Sequence, residues 1–319
     1  MSGSGQITCM ESMVDFKEAS YKAHQDGRKF SGKSAELVMD KSTVDYWRHE
    51  RMYSTLLPLL QHYPGASWIT IGDGNFGKDA NYLLSQGADA TATDLNNPSY
   101  DLALELGFIR KFKIENAEHL TFGDDSFDFA LVKEAFHHFP RPYIALYEML
   151  RVAKKGVVLI EPNDQDTISL PDLNLKNGFF WFVRTLKKSL SRILRPSDKP
   201  ALDYTLFYEP AGNFVFTLNY HELKKVAIAL NYPAIAWKGF NDHYEEGAAE
   251  ERLVDRGPLY QKIAAGIRRR DRQVSKGTNF PTMITFVIFK QQPAAATVST
   301  LKAAGYVFEP LPRNPYIGN

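Results

Sequence analysis

Residues Ile69-Thr70-Ile71-Gly72-Asp73-Gly74-Asn75-Phe76-Gly77 join an apolar run to a loop with glycines at 72, 74 and 77, the spacing G-x-G-x-x-G. Glycines there let the backbone pass close to a ligand, and a helix opening after the loop offers it unbonded N–H groups. Asp94 follows at the distance where a carboxylate accepts both hydrogen bonds of a ribose diol. The pair points to an adenosine-containing cofactor, either a nicotinamide dinucleotide or another. A second cluster, Lys133-Glu134-Ala135-Phe136-His137-His138, has the groups for proton transfer. Histidine, with an ordinary pKa of about 6.5, suits a general base at neutral pH, and a carboxylate such as Glu134 can orient it or hold a substrate hydroxyl. No metal centre is expected: Asp164 and Asp166 are two apart and Glu245-Glu246 adjacent, but no Cys/His/Asp cluster has zinc-site spacing.

These groups need a sheet to hold them. β-rich runs near 68–71, 88–93, 109–114, 127–132, 156–161, 234–238 and 282–289 alternate with helical stretches at 78–86, 142–153 and 221–230. That alternation predicts an α/β fold, a Rossmann-like seven-stranded, mostly parallel sheet with helices on both faces and inserted cap segments. The glycine loop, Asp94 and the two histidines then follow the first, second and fourth strands, at the edge where open parallel sheets bind ligands. The predicted organisation is a flexible N-terminus at 1–39 and helices leading into the core over 40–162. A cap at 163–220 follows, then the rest of the core at 221–290 with a charged insertion at 245–281, and a tail at 291–319.

The 38 Lys and Arg against 37 Asp and Glu argue against a chain whose main task is non-specific binding of nucleic-acid phosphates. The single cysteine, Cys9, cannot form an intramolecular disulfide and fits the cytosol. Residues 1–30 lack the apolar run of a signal peptide, and no apolar stretch is long enough to cross a membrane, so a soluble, cytoplasmic protein is expected.

Over 66–163 the chain resembles the class I S-adenosylmethionine-dependent methyltransferases, in particular those with a type 11 core. The carrying motifs occur in order: the glycine loop, Ala92-Thr93-Asp94-Leu95, Glu115-Asn116-Ala117-Glu118-His119-Leu120, Asp124 to Val132 with Glu134 to Phe139 after it, Glu148-Met-Leu-Arg151, and the strand into Glu161-Pro-Asn163. The resemblance implies S-adenosylmethionine as cofactor, S-adenosylhomocysteine as product, and a cofactor site built from Gly72, Asp73, Gly74, Asp94, Leu95, Asn116, Ala117, Glu118 and Lys133. Three positions depart from the family pattern. Thr70 replaces the acidic residue that receives the methionine amino group, a role Asp73 could take over; Phe76 stands where glycine is common; and Asn116 stands where aspartate is usual. Outside the core, Tyr46 to Tyr53, Tyr208 to Asn213, Lys238 to Tyr244 and Leu311 to Ile317 are similar to methyltransferases encoded with bacterial surface-polysaccharide enzymes, which implies polysaccharide biosynthesis and a sugar or glycan substrate.

Such an activity needs a base beside the acceptor hydroxyl. His137 is the favoured base, with His138 the alternative. Glu161, Asp164, His221, His243 and Tyr244 are the substrate-side candidates, while Tyr46 and Arg48 would fold over the cofactor, Arg48 pairing its carboxylate. Some sugar O-methyltransferases of similar fold use magnesium. The stretch 179–199 reads either as a lid helix or as a helix on an anionic membrane surface, which would place the protein at the membrane's inner face. Other readings are an O- or N-methyltransferase of a small natural product or quinone, a catalytically silent cofactor-binding protein and, most distantly, an NAD-dependent oxidoreductase.

Overall fold

The computed structural model describes residues 15–26, 32–96, 99–164 and 214–317. Cys9, Asp166, the stretch 179–199 and the segment Tyr208 to Asn213 lie outside the described residues.

Four helices come first: α1 (Asp15–Asp26), α2 (Gly32–Met39), α3 (Val44–Tyr53) and α4 (Leu57–His62). The sheet follows as β1 (Ser67–Ile71), α5 (Gly74–Ser85), β2 (Asp89–Asp94), α6 (Tyr100–Glu105), β3 (Phe112–Ile114), β4 (Phe127–Lys133), α7 (Pro142–Val152) and β5 (Ala153–Pro162). Further along come α8 (Tyr220–Ala229), β6 (Ala234–Phe240), α9 (Pro258–Ser275), β7 (Met283–Phe289), α10 (Ala295–Ala303) and β8 (Val307–Pro310).

Among the described residues the sheet has eight strands in the order β3-β2-β1-β4-β5-β7-β6-β8. The first five are parallel, β7 runs antiparallel between β5 and β6, and β8 runs antiparallel on the outer edge of β6. The eighth strand and α10 fall in the segment expected to be a tail, and α1 and α2 in the stretch expected to be flexible. Helix α10 is short and follows Pro293-Ala-Ala-Ala296, which reads as a linker in the sequence. Leu301 and Tyr306 are buried against the core.

The central strands are covered on both sides, so they read as almost unbroken apolar runs. On one face Trp68, Phe129, Val158 and Val287 pack with Leu56 and Leu59, Leu83 of α5 and Leu301 of α10. On the other, Ile69, Val132, Leu159 and Phe286 pack with Leu146 and Met149 of α7 and Leu223 of α8. Elements start where side chains satisfy free N–H groups: Thr43 caps α3 through the Tyr46 N–H, Asn219 caps α8 through the His221 N–H, and Pro142 opens α7. β1 lies between β2 and β4, so the strand order reverses there and opens a crevice at the carboxyl ends of the strands.

Candidate functional site

That crevice is a cavity of about 310 Å³. Its floor is the glycine loop, whose conformation comes from packing as much as from glycine. Gly72 has φ +67°, and a Cβ there would lie 2.8 Å from that of Ala135. Phe76, where glycine is common in the resembling family, adopts φ +69° with its ring buried. A bulky residue held in this region stores strain that its surroundings must impose.

Asp73 anchors the loop. Its carboxyl accepts from the Thr70 hydroxyl (2.7 Å) and from the N–H groups of Asp79 (2.9 Å) and Ala80 (2.8 Å). Residues 70 and 73 thus meet at one spot, and the acid displaced from position 70 returns there from position 73. The carboxyl is nevertheless occupied by the loop and by the start of α5. Burial and the neighbouring Asp79 push it up to about 8, against the pull of its three donors.

Asp94 ends β2 on the cavity wall, one oxygen accepting from the Leu95 N–H. Gly74, Leu95, Asn116, Ala117 and Glu118 also line the cavity. The Asn116 Oδ1 accepts from the Glu118 N–H (2.9 Å), and Glu118 holds Arg141 through its backbone N–H (2.8 Å) and Nε (2.5 Å), so that carboxylate serves the wall. Lys133 lines the cavity with its ammonium committed: Nζ lies 3.2 Å from Glu134, 3.5 Å from Asp79 and 3.1 Å from His49 Nδ1.

Arg48 and Tyr46 do not line the cavity. Arg48 is saturated by Asp45 and Asp242, both at 2.7 Å, and by Glu134 at 3.4 Å, with its guanidinium over the Tyr244 ring. Three protein carboxylates have taken the place expected for a cofactor carboxylate. Tyr244 is largely exposed, and His243 is bound between Glu245 (2.8 Å) and Arg270 (2.9 Å). His221 does not line the cavity; it stands beside Tyr220, whose hydroxyl bonds Glu309 of β8. Asp164 is half-buried where the chain leaves β5, its N–H donating to the Leu218 carbonyl.

Glu161 is wholly buried and faces no substrate space. One oxygen accepts from the N–H groups of Ala135 (2.8 Å) and Phe136 (2.9 Å), the other from His137 Nδ1 at 2.6 Å. A carboxylate in that position fixes the His137 proton on Nδ1. The orienting role expected of Glu134 therefore belongs to Glu161, while Glu134, at φ +50°, pairs with Lys133 and Arg48. His138 lines the cavity, and His137 lies against it with ring centroids 4.0 Å apart.

Several lining residues escaped the motif reading: Tyr21, Asp45, His49, Tyr53, Lys78 and Asp79. Lys78 and Asp79 directly follow the loop, and His49 directly follows Arg48, so proximity to recognised motifs was the available signal. Burial, with the positive charges of Lys133, Arg48 and Lys78, holds His49 well below its usual 6.5. The unfolded chain protonates this imidazole near 6.5 and the folded chain does not, so His49's share of stability is lost as pH falls below that value. Urea denaturation should show wild type losing stability relative to His49→Gln between about pH 6.5 and 5, at up to about 1.4 kcal/mol per pH unit. Parallel pH curves for the two proteins would contradict this.

Residues 69–160 match a family described as a methyltransferase domain. A curated relative, 2-methyl-6-phytyl-1,4-hydroquinone methyltransferase of Synechocystis sp., is 28% identical over 139 residues, 42% of each chain. The chain thus spans about two fifths of that relative's length. Among solved structures, the YcgJ protein of Bacillus subtilis aligns over 76% of this chain and 100% of its own, with 17% identity and TM-score 0.44. Phosphoethanolamine N-methyltransferase 2 of Haemonchus contortus, in complex with S-adenosyl-L-methionine, aligns over 83% and 61%, with 13% identity and TM-score 0.43.

The cavity fits S-adenosylmethionine. Asp94 stands at the end of β2 for a ribose, Leu95, Ala117 and Phe139 offer apolar contact to a base, and carboxylates outnumber lysines around a space that must receive a sulfonium. Residues 69–160 thus match a methyltransferase domain, and the cofactor is S-adenosylmethionine.

Proposed function

We propose that the chain methylates a hydroxyl group, with His137 as general base and Glu161 as the residue that positions it, and that the hydroxyl belongs to a sugar or glycan. The observation that carries the chemistry is the 2.6 Å contact between His137 Nδ1 and the buried Glu161 carboxylate. When bound, S-adenosylmethionine supplies a methyl carbon on a positively charged sulfur, which leaves with the bonding electron pair. His137 Nε2 takes the hydroxyl proton as the acceptor oxygen bonds that carbon, and the Glu161 carboxylate stabilises the imidazolium so formed. The loop anchored by Asp73 and the wall held by Glu118 and Arg141 keep the site in one geometry, which is where most of the rate of an in-line displacement originates.

The sugar acceptor is supported by the flanking segments Tyr46 to Tyr53, Lys238 to Tyr244 and Leu311 to Ile317. A second reading, a hydroquinone or similar small aromatic acceptor, is favoured by the name of the Synechocystis relative. Formation of S-adenosylhomocysteine, measured with sugar nucleotides, oligosaccharides, phenols and hydroquinones, separates the two. Turnover of sugars alone supports the proposal, and turnover of hydroquinones alone replaces it. Binding of both S-adenosyl compounds without turnover of any acceptor would make the protein a silent binder.

A further inference from the structure

Three cations stand at or beside the cavity, and their engagements differ. Arg48 is held by three carboxylates, two of them at 2.7 Å. The Lys133 ammonium is shared among Asp79, Glu134 and His49. Lys78, in the first turns of α5, lines the cavity, and among the described residues its Nζ makes no hydrogen bond. Its ion pair to Asp45 is long, 3.8 Å, and Asp45 already has Arg48 at 2.7 Å and His49 at 3.5 Å. Drawing Lys78 away from Asp45 therefore leaves no carboxylate without a partner. Moving Arg48 would leave Asp242 without its cation, and moving Lys133 would take the nearest cation from Glu134.

A ligand carboxylate entering a space with an acidic wall needs a cation that is already desolvated and not yet satisfied. We infer that Lys78 receives the amino-acid carboxylate of the cofactor, the task that the motif reading gave to Arg48. The inference rests on S-adenosylmethionine being the ligand of this cavity. Burial supports it by lowering the Lys78 pKa, a cost that a bound carboxylate offsets. Arg48 is left with a different task, tying α3 to the β6–α9 connection through Asp242.

The test is calorimetric binding of S-adenosylmethionine and of decarboxylated S-adenosylmethionine, which lacks only the carboxylate, to wild type, Lys78→Met and Lys78→Arg. The ratio of the two dissociation constants is expected to shift by about tenfold or more against S-adenosylmethionine in Lys78→Met, the usual size of a charge-assisted hydrogen bond. Affinity for the decarboxylated compound should stay near wild type, which also reports an intact fold, and Lys78→Arg should restore much of the ratio. An unchanged ratio in Lys78→Met, or an equal loss of both ligands, overturns the assignment and leaves the cofactor reading standing. If wild type binds neither compound, the cofactor reading fails and this inference with it.

Discussion

Replacing His137 by alanine is expected to lower the rate of methyl transfer about 10²- to 10⁴-fold, the usual contribution of a positioned general base. Affinity for S-adenosylhomocysteine should stay within about twofold, because the imidazole is held by Glu161 and tilted against the His138 ring, not placed on the cofactor wall. Glu161→Gln separates positioning from catalysis. The amide oxygen can still accept from the Ala135 and Phe136 N–H groups, but the imidazole loses its anionic partner. The rate should fall, and the acidic limb of the pH–rate profile, where protonation removes the base, should move to lower pH as the imidazole becomes a weaker base. A rate in His137→Ala equal to wild type, with cofactor bound, would remove His137 as the base and pass the role to His138.

The largest effect on stability is expected at Lys133. It is nearly enclosed, and Lys133→Met would leave Asp79 with the Tyr53 hydroxyl, 2.6 Å away, and Glu134 with the more distant Arg48. Removing one side of a buried ion pair typically costs about 3–5 kcal/mol, most of it from the charge left behind. The sign of its pH dependence follows from Glu134. Burial raises its pKa, but Lys133 and Arg48 outweigh that and hold it below its ordinary 4.5. In wild type the contribution of Glu134 is present above pH 4.5 and is lost as pH falls through the depressed value. In Lys133→Met the main opposing term is gone, the folded-state pKa rises, and the variant gains relative stability on acidification. Urea midpoints of the two proteins should therefore converge at low pH; a gap independent of pH would mean that lost packing of the lysine stem, not stranded charge, sets the cost.

Much of the fold was readable because each central strand is buried on both faces. Phe129 to Val132 and Val157 to Ile160 are apolar without alternation, and Ile69-Thr70-Ile71 runs straight into Gly72. Strand β8 had no such signal: as an edge strand, Val307-Phe308-Glu309-Pro310 is largely exposed or half-buried, and its place depends on its pairing with β6. The glycine loop, Asp94 and the His137-His138 pair were legible because local spacing defines them. Roles that depend on distant partners were not. Glu161 looked like a strand-end carboxylate free for substrate until the turn after β4 folded back on it, 24 to 26 residues away in sequence. Arg48 looked free until Asp242, 194 residues later, closed on it. Lys78 drew no attention for the opposite reason, since what sets it apart is how little the fold gives it.

Helix α3, which walls the cavity, and α4 after it are fixed by residues far downstream. Thr55, just after α3, accepts the Tyr306 hydroxyl at its carbonyl (2.7 Å) and the Thr285 hydroxyl at its own oxygen (2.9 Å), and His62 of α4 is bonded to Thr300 (2.7 Å). These partners lie 230 to 251 residues downstream. During synthesis the parallel half of the sheet can pair as it emerges, whereas α3 and α4 must wait for residues 285 to 306 before these contacts exist. The wall that α3 gives the cavity is thus fixed only after the strands beneath it have been made.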